Sequence, residues 1–221
     1  MRKVMIGTPA HDGRVDVWYC HSLSNTIKSL QDKDIELFPV YVTMDSLVQR
    51  ARNDLVKLAV EGGIDDLIFI DSDQEWDPND ILKLLSYDVD VVGGTVVKKT
   101  DTPEYNVKSL KEGLLQDPDN GLIKVQYVGT GFLRMSRKAF TAVWNMSEPY
   151  KCPQQDSRMV FELKVIDGDL VSEDNVFCDK WASLGGEVWI DPTITCNHIG
   201  AKKYTGDFFN TYKQYFTPIQ K

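Results

Sequence analysis

The stretch Asp65-Asp66-Leu67-Ile68-Phe69-Ile70-Asp71-Ser72-Asp73 decides how the rest of the chain is read. Its apolar run suits a strand buried on both faces, and it ends abruptly in two carboxylates around one serine. Strand side chains alternate with period two, so Asp71 and Asp73 are expected to face one crevice at the strand's end. Hard oxygen donors placed there suit Mg²⁺ or Mn²⁺, and such ions bridge readily to a diphosphate. Asp and Ser are also ordinary turn residues, and a phosphatase with a nucleophilic Asp presents a similar pattern.

On either side of this strand the hydrophobic pattern alternates between two periods. Residues 3–8 read as a first strand stopped by Pro9, 21–31 as a helix and 35–42 as a second strand. From Ser46 a helix carries Leu47, Ala51, Leu55 and Leu58 on one face, and Gly62-Gly63 stop it. Pro78 opens a short helix, and residues 89–92 form a fourth strand closed by Gly93-Gly94. Beyond it, 100–120 is a polar loop or flap, 121–128 a strand, and Gly129-Thr130-Gly131-Phe132 a tight connection. Helices follow at 136–144 and 172–184, with strands at 160–166, 187–190 and 193–196. The pattern predicts an α/β fold, a mostly parallel central sheet with helices on both faces. One domain over residues 1–221 is the simplest organisation, since no repeat or low-complexity linker interrupts it. In such sheets ligands bind outside the carboxyl ends of the strands, where Asp71 and Asp73 fall.

The chain of 221 residues can bury one large core, with 42% hydrophobic and 26% charged residues. No apolar run reaches the length of a membrane span, and the N-terminal stretch reads without a signal-peptide core. Cys20, Cys152, Cys178 and Cys196 form no CxxC pair, so reduced thiols and a cytoplasmic setting are expected. The formal charge of −8 argues against a nucleic-acid partner. An acidic chain that handles a polyanion needs local basic groups or a metal ion.

Other residues carry two readings each. His198 follows the last strand; an isolated histidine there is ordinarily just hydrogen-bonded, yet carboxylate plus imidazole suits Mn²⁺. Lys202, Lys203 and Tyr204 form either a solvated tail or a flexible basic segment able to close over phosphates. Glu173-Asp174 open a helix capped by Ser172, where acidic residues favour the helix dipole, or else one of them is a general base. Arg52 and Asn53 sit on the helix before the acidic strand, either solvated or contacting a diphosphate or ribose. Thr8-Pro9-Ala10 and Arg14 lie where a base or ribose is held. Gly129-Thr130-Gly131-Phe132 lacks the lysine of a P-loop and reads as a turn or as an acceptor-side lining. Trp76 is core by default, though its place just past Asp73 suits stacking on a sugar.

In order along the chain these pieces resemble a GT-A glycosyltransferase. The matching series is Thr8-Pro9, Ala51-Arg52-Asn53, Ile70-Asp71-Ser72-Asp73, Val92-Gly93-Gly94, Gly129-Thr130-Gly131-Phe132, Ser172-Glu173-Asp174 and His198-Ile199-Gly200. The compact size is similar to small viral and phage-type members, including the N-terminal domain of a chlorovirus capsid-glycosylating enzyme. The resemblance implies a single Rossmann-like GT-A domain, with residues from about 1 to 100 binding the nucleotide-sugar. Residues from about 101 to 221 would form a smaller acceptor-side, catalytic lobe. It implies a UDP-sugar donor, a glycan or glycoprotein acceptor and, for a viral member, the host cytoplasm. Asp73 and His198 would ligate Mn²⁺ or Mg²⁺, and Asp71 would contact ribose or a metal-bound water. Asp174, beside Glu173, would be the base of an inverting reaction. The QxxRW motif of processive synthases is absent, which implies a single sugar addition. Two alternatives remain at this point. A DxD phosphohydrolase would want its Asp pair on an early strand with a later Lys, and a binding module of the same fold would lack turnover.

Overall fold

The computed structural model describes residues 1–153 and 155–220. Nine strands make the spine of its large sheet: β1 (Arg2–Ala10), β2 (Ile35–Thr43), β3 (Asp66–Ile70), β4 (Val91–Val96), β5 (Leu114–Gln116), β6 (Ile123–Val128), β7 (Phe132–Ser136), β8 (Val188–Ile199) and β9 (Phe216–Pro218). Their order across the sheet is β9-β5-β6-β8-β4-β7-β3-β1-β2. β1 pairs in parallel with β2 and β3, as β4 does with β8 and β5 with β9. β7 runs antiparallel between β3 and β4, and β6 antiparallel between β5 and β8. Every spine strand except β6 and β7 therefore points the same way. This is the mostly parallel, Rossmann-like α/β sheet expected from the sequence.

Strand periodicity explains how both faces are covered. In β3, Leu67 and Phe69 enter one apolar core while Ile68 and Ile70 enter another, and all four are fully buried. The first core takes the helices α2 (Val48–Glu61), α4 (Arg137–Met146) and α5 (Glu173–Ser183) through Leu55, Phe140 and Phe177. The second takes α1 (Val17–Leu30) and α3 (Pro78–Ser86) through Tyr19, Ile81 and Leu84. α3 begins at a capping box of Asp77 and Asp80 with Pro78 in its first turn. A short helix, α6 (Phe208–Tyr212), closes the C-terminal region through an aromatic cluster of Tyr105, Phe208, Tyr212 and Phe216. Among the described residues no helix is long and apolar enough to cross a membrane.

Six local expectations are corrected. β1 runs on through Pro9 to Ala10, and the loop expected at 100–120 carries the short strand Val107–Ser109 and β5. β4 runs straight through Gly93 and Gly94 instead of stopping there. A Cβ on Gly94 would sit 2.3 Å from Ile194 Cγ2, so glycine here serves close packing. Residues 132–136 form strand β7, where a connection leading to a helix was expected. The strand expected at 160–166 is replaced by buried Val160 and Phe161 followed by a hairpin, Lys164–Ile166 with Asp169–Val171. The two closing strands are one, β8, with a register irregularity between Ile190 and Thr195.

Candidate functional site

β3 stops at Ile70, and the chain turns at once, with the Gln74 N–H donating to Asp71 O at 3.2 Å. That turn separates the carboxylates that a continued strand would have aligned. Asp71 meets α2, whereas Asp73 faces the end of β8.

Arg52, on α2, is the hub of the first group. Its side chain is 5% exposed, and its guanidinium donates to three carboxylates. Nη2 reaches Asp71 Oδ1 at 3.1 Å, and Nη1 reaches Glu173 Oε1 at 2.6 Å and Asp174 Oδ1 at 3.0 Å. Burial works against the Arg52 charge, but Asp71, Asp174 and Glu173 outweigh it and hold the guanidinium protonated more firmly than usual. Thr130 Oγ1 also donates to Asp174 Oδ1, at 2.6 Å, so both side-chain bonds of Asp174 fall on one oxygen. Ser172 caps α5 without a side-chain hydrogen bond, contrary to expectation. The acidic pair in its first turn is anchored by Arg52 instead.

The second group surrounds Asp73. The short strand Gln74–Glu75 pairs with Asn197 and His198, and Ile199 N donates to Asp73 O at 2.8 Å. These bonds set His198 Nε2 3.4 Å from Asp73 Oδ2. His198 Nδ1 lies 3.0 Å from Val97 O. A carbonyl only accepts, so Nδ1 carries a proton; Nε2 donates to Asp73 in the imidazolium form, and in the neutral form it offers its lone pair. The neutral form is the tautomer of a metal-ligating histidine, with Val97 O as its backbone support. Lys99 Nζ reaches the same Asp73 oxygen at 2.6 Å. Burial opposes the Asp73 charge, but hydrogen bonds from the protonated His198 ring and from Lys99 prevail and bring its pKa down to about 2.

Two cavities meet at these groups. One, of about 240 Å³, lies against Pro9, Ala10 and His11 at the end of β1 and against Ser46 and Ala51. The other, of about 350 Å³, lies between residues 96–99, Asn106, Gly129, Gly131 and Asp174. Asp71 and His198 line both. Ser72 and Asp73 line the smaller, and Gln74, fully buried, borders the larger. A Cβ on Gly131 would come 3.2 Å from Asp71 Oδ2, so the glycine keeps that carboxylate open to the larger cavity.

Other residues singled out in the sequence have different tasks. Asn53 is buried, donating through Nδ2 to Phe161 O and accepting from Phe161 N; it fastens residue 161 to α2 and lines neither cavity. Trp76 is 4% exposed, packed on Tyr19 and Phe132 with Nε1 donating to Thr26, which removes it as a sugar platform. Thr8 and Phe132 are fully buried, Thr8 bonded to the Tyr19 hydroxyl. Arg14 is exposed in the loop after β1. Lys202 pairs with Asp101, and Lys203 pairs with Glu75 while lying over the Trp18 ring, so neither closes over the cavities. The lysine beside the acidic turn is Lys99, which lines the larger cavity. In the polar stretch Lys98-Lys99-Thr100-Asp101 it has no sequence mark of its own. Among the described residues, no three His, Cys, Asp or Glu side chains gather into a ready-made metal cage.

No protein-family model matches this sequence, and no curated protein matches it either. Solved structures do. A197 from STIV is 19% identical with a TM-score of 0.54, over 90% of this chain and 86% of that one. The likeness is one of fold. Looser matches include a glycosyltransferase involved in the glycosylation of the major capsid of PBCV-1, 11% identical with a TM-score of 0.37 over 66% and 67% of the two chains. TarS 1–349 from S. aureus, in complex with UDP-GlcNAc, is 13% identical with a TM-score of 0.36 over 100% of this chain and 59% of that one.

Proposed function

We propose that this chain is a glycosyltransferase that moves one sugar from a nucleotide diphosphate sugar to a hydroxyl of a glycan or glycoprotein, inverting the anomeric centre. A UDP-sugar is the donor to test first. The observation that carries the reading is that Asp71, Asp73, Asp174 and His198 line two adjoining cavities outside the ends of the parallel strands. The smaller cavity suits the nucleoside, the larger the sugar and acceptor.

Asp73 and His198 fit a divalent ion of the Mg²⁺ or Mn²⁺ type, because such ions take few protein ligands and complete their shell with substrate phosphates and water. When bound, the ion supplies charge to offset the diphosphate leaving group. The need for it is electrostatic. Among the described residues, Asp71, Asp73, Glu173 and Asp174 pair with the cations Arg52 and Lys99, so with His198 neutral the site is formally −2 and by itself repels a diphosphate.

Asp174 is the base in this reading. Arg52 and Thr130 hold Oδ1 and fix the carboxylate plane, and Oδ2 takes the proton of the acceptor hydroxyl as that oxygen attacks the anomeric carbon. Glu173 shares Nη1 of Arg52 and keeps the guanidinium in place. Asp71, on Nη2, couples the donor side to the base through the same side chain.

The test is a panel of nucleotide sugars, with binding measured by calorimetry in Mn²⁺ and in EDTA and slow hydrolysis followed by nucleotide release. The reading expects one nucleotide class to bind in a metal-dependent way and to turn over. Hydrolysis of simple phosphomonoesters without nucleotide binding would establish the phosphohydrolase instead. Binding with no transfer to any acceptor would leave a binding module.

A further inference from the structure

Lys99 places a cation on Asp73. Its ammonium is 2.6 Å from Asp73 Oδ2, the oxygen that faces His198 Nε2 at 3.4 Å. The contact is held from both ends. A Cβ on Gly200 would fall 3.1 Å from Lys99 Cδ and 3.4 Å from Cε, so the absence of a side chain at residue 200 makes room for the lysine stem. The loop bearing Lys99 is closed by Lys98 N donating to Glu104 O at 2.7 Å. It is tied to the same C-terminal turn by Lys202 Nζ on Asp101 Oδ1. Neighbouring Lys98 is directed away, to Glu104.

We propose that Lys99 is a resident counter-ion. It satisfies Asp73 while the donor is absent, competes with a divalent ion for that carboxylate, and passes to the diphosphate when the ion takes its place. The proposal rests on the donor-site reading above and adds to it a residue that sets the order of binding: the bare site holds metal weakly, and the nucleotide diphosphate, by accepting the ammonium, makes metal binding favourable. The physical basis is that one carboxylate oxygen does not serve an ammonium at 2.6 Å and a divalent ion together without strong cation–cation repulsion. Lys99 is 39% exposed and Asp73 36%, so the ammonium exchanges partners without leaving a charge buried.

The experiment is calorimetric titration of Mn²⁺ alone, and then of UDP in saturating Mn²⁺, into the wild-type chain, Lys99→Met, Lys99→Arg and Asp73→Asn. Lys99→Met should bind Mn²⁺ alone about two- to fivefold more tightly and UDP several-fold more weakly, the change expected on removing one partly solvated ion pair and one phosphate contact. Lys99→Arg, which keeps the charge, should stay near the wild type in both titrations. Equal Mn²⁺ affinity in Lys99→Met and the wild type, with loss of the ion in Asp73→Asn, would overturn the Lys99 proposal and leave the metal assignment standing. Wild-type Mn²⁺ binding by Asp73→Asn would overturn both.

Discussion

Arg52 Nη1 donates to Asp174 Oδ1 at 3.0 Å across 122 residues of sequence, so the proposed base is held from the helix that precedes the acidic strand. Removing the guanidinium leaves Asp71, Glu173 and Asp174 facing one another without a cation. Arg52→Met should therefore cost about 2–4 kcal/mol of stability, because a partly buried charge cluster loses its compensation. Urea denaturation measures this, and an unchanged midpoint would show that solvent already screens the cluster.

Trp76 gives a prediction that separates core from site. Trp76→Phe removes the hydrogen bond to Thr26 and some buried volume, and should cost about 1–3 kcal/mol. Steady-state kinetics well below the melting temperature should show an unchanged KM for acceptor. A raised acceptor KM would return Trp76 to the binding surface.

Asp80 supplies the pH dependence. Burial, reinforced by Asp77, lifts its pKa from 3.8 to about 7 in the folded chain. A raised folded-state pKa means stability that is full below about pH 4 and is lost as the pH rises through about 7. Asp80→Asn keeps an acceptor for the Asp77 N–H and carries no charge. It should melt at least about 2 °C higher than the wild type at pH 8, the shift from about 1 kcal/mol in a domain of this size. The advantage should fade towards pH 4. Equal melting temperatures at pH 8 would mean that Asp80 ionises freely in the folded state.

How far this was legible in the sequence depends on whether the physics is local. The alternation of Leu67 and Phe69 with Ile68 and Ile70 is a local pattern, and it gave the strand, the two covered faces and the position of the acidic turn. The antiparallel strand β7 was not legible, because Phe132-Leu133-Arg134-Met135 lies between a glycine turn and a helix cap with no alternation to mark it. Arg52 read either as a solvated side chain or as a ligand contact and is an internal tie, since its partners Glu173 and Asp174 are distant in sequence. Asn53 has the same history with Phe161. Lys99 reached Asp73 only through the packing of residues 97–105 against the turn at Gly200, and no spacing rule contains that contact.

Asp73 tests the metal. Asp73→Ala should lower Mn²⁺-dependent UDP affinity at least about tenfold and leave any metal-free binding unchanged. Calorimetry with and without EDTA reads both. Identical affinities with and without the ion in the wild type would remove the metal from the reaction.

The central claim is that Asp174 takes the acceptor's proton at a site that binds the donor independently of it. Its most direct measurement is turnover of a nucleotide sugar by Asp174→Asn and by the wild type, with nucleotide affinity measured on the same preparations. The account predicts turnover lowered by about 10²–10⁴, the contribution of a positioned general base, with affinity unchanged. Equal turnover in the two proteins would contradict it.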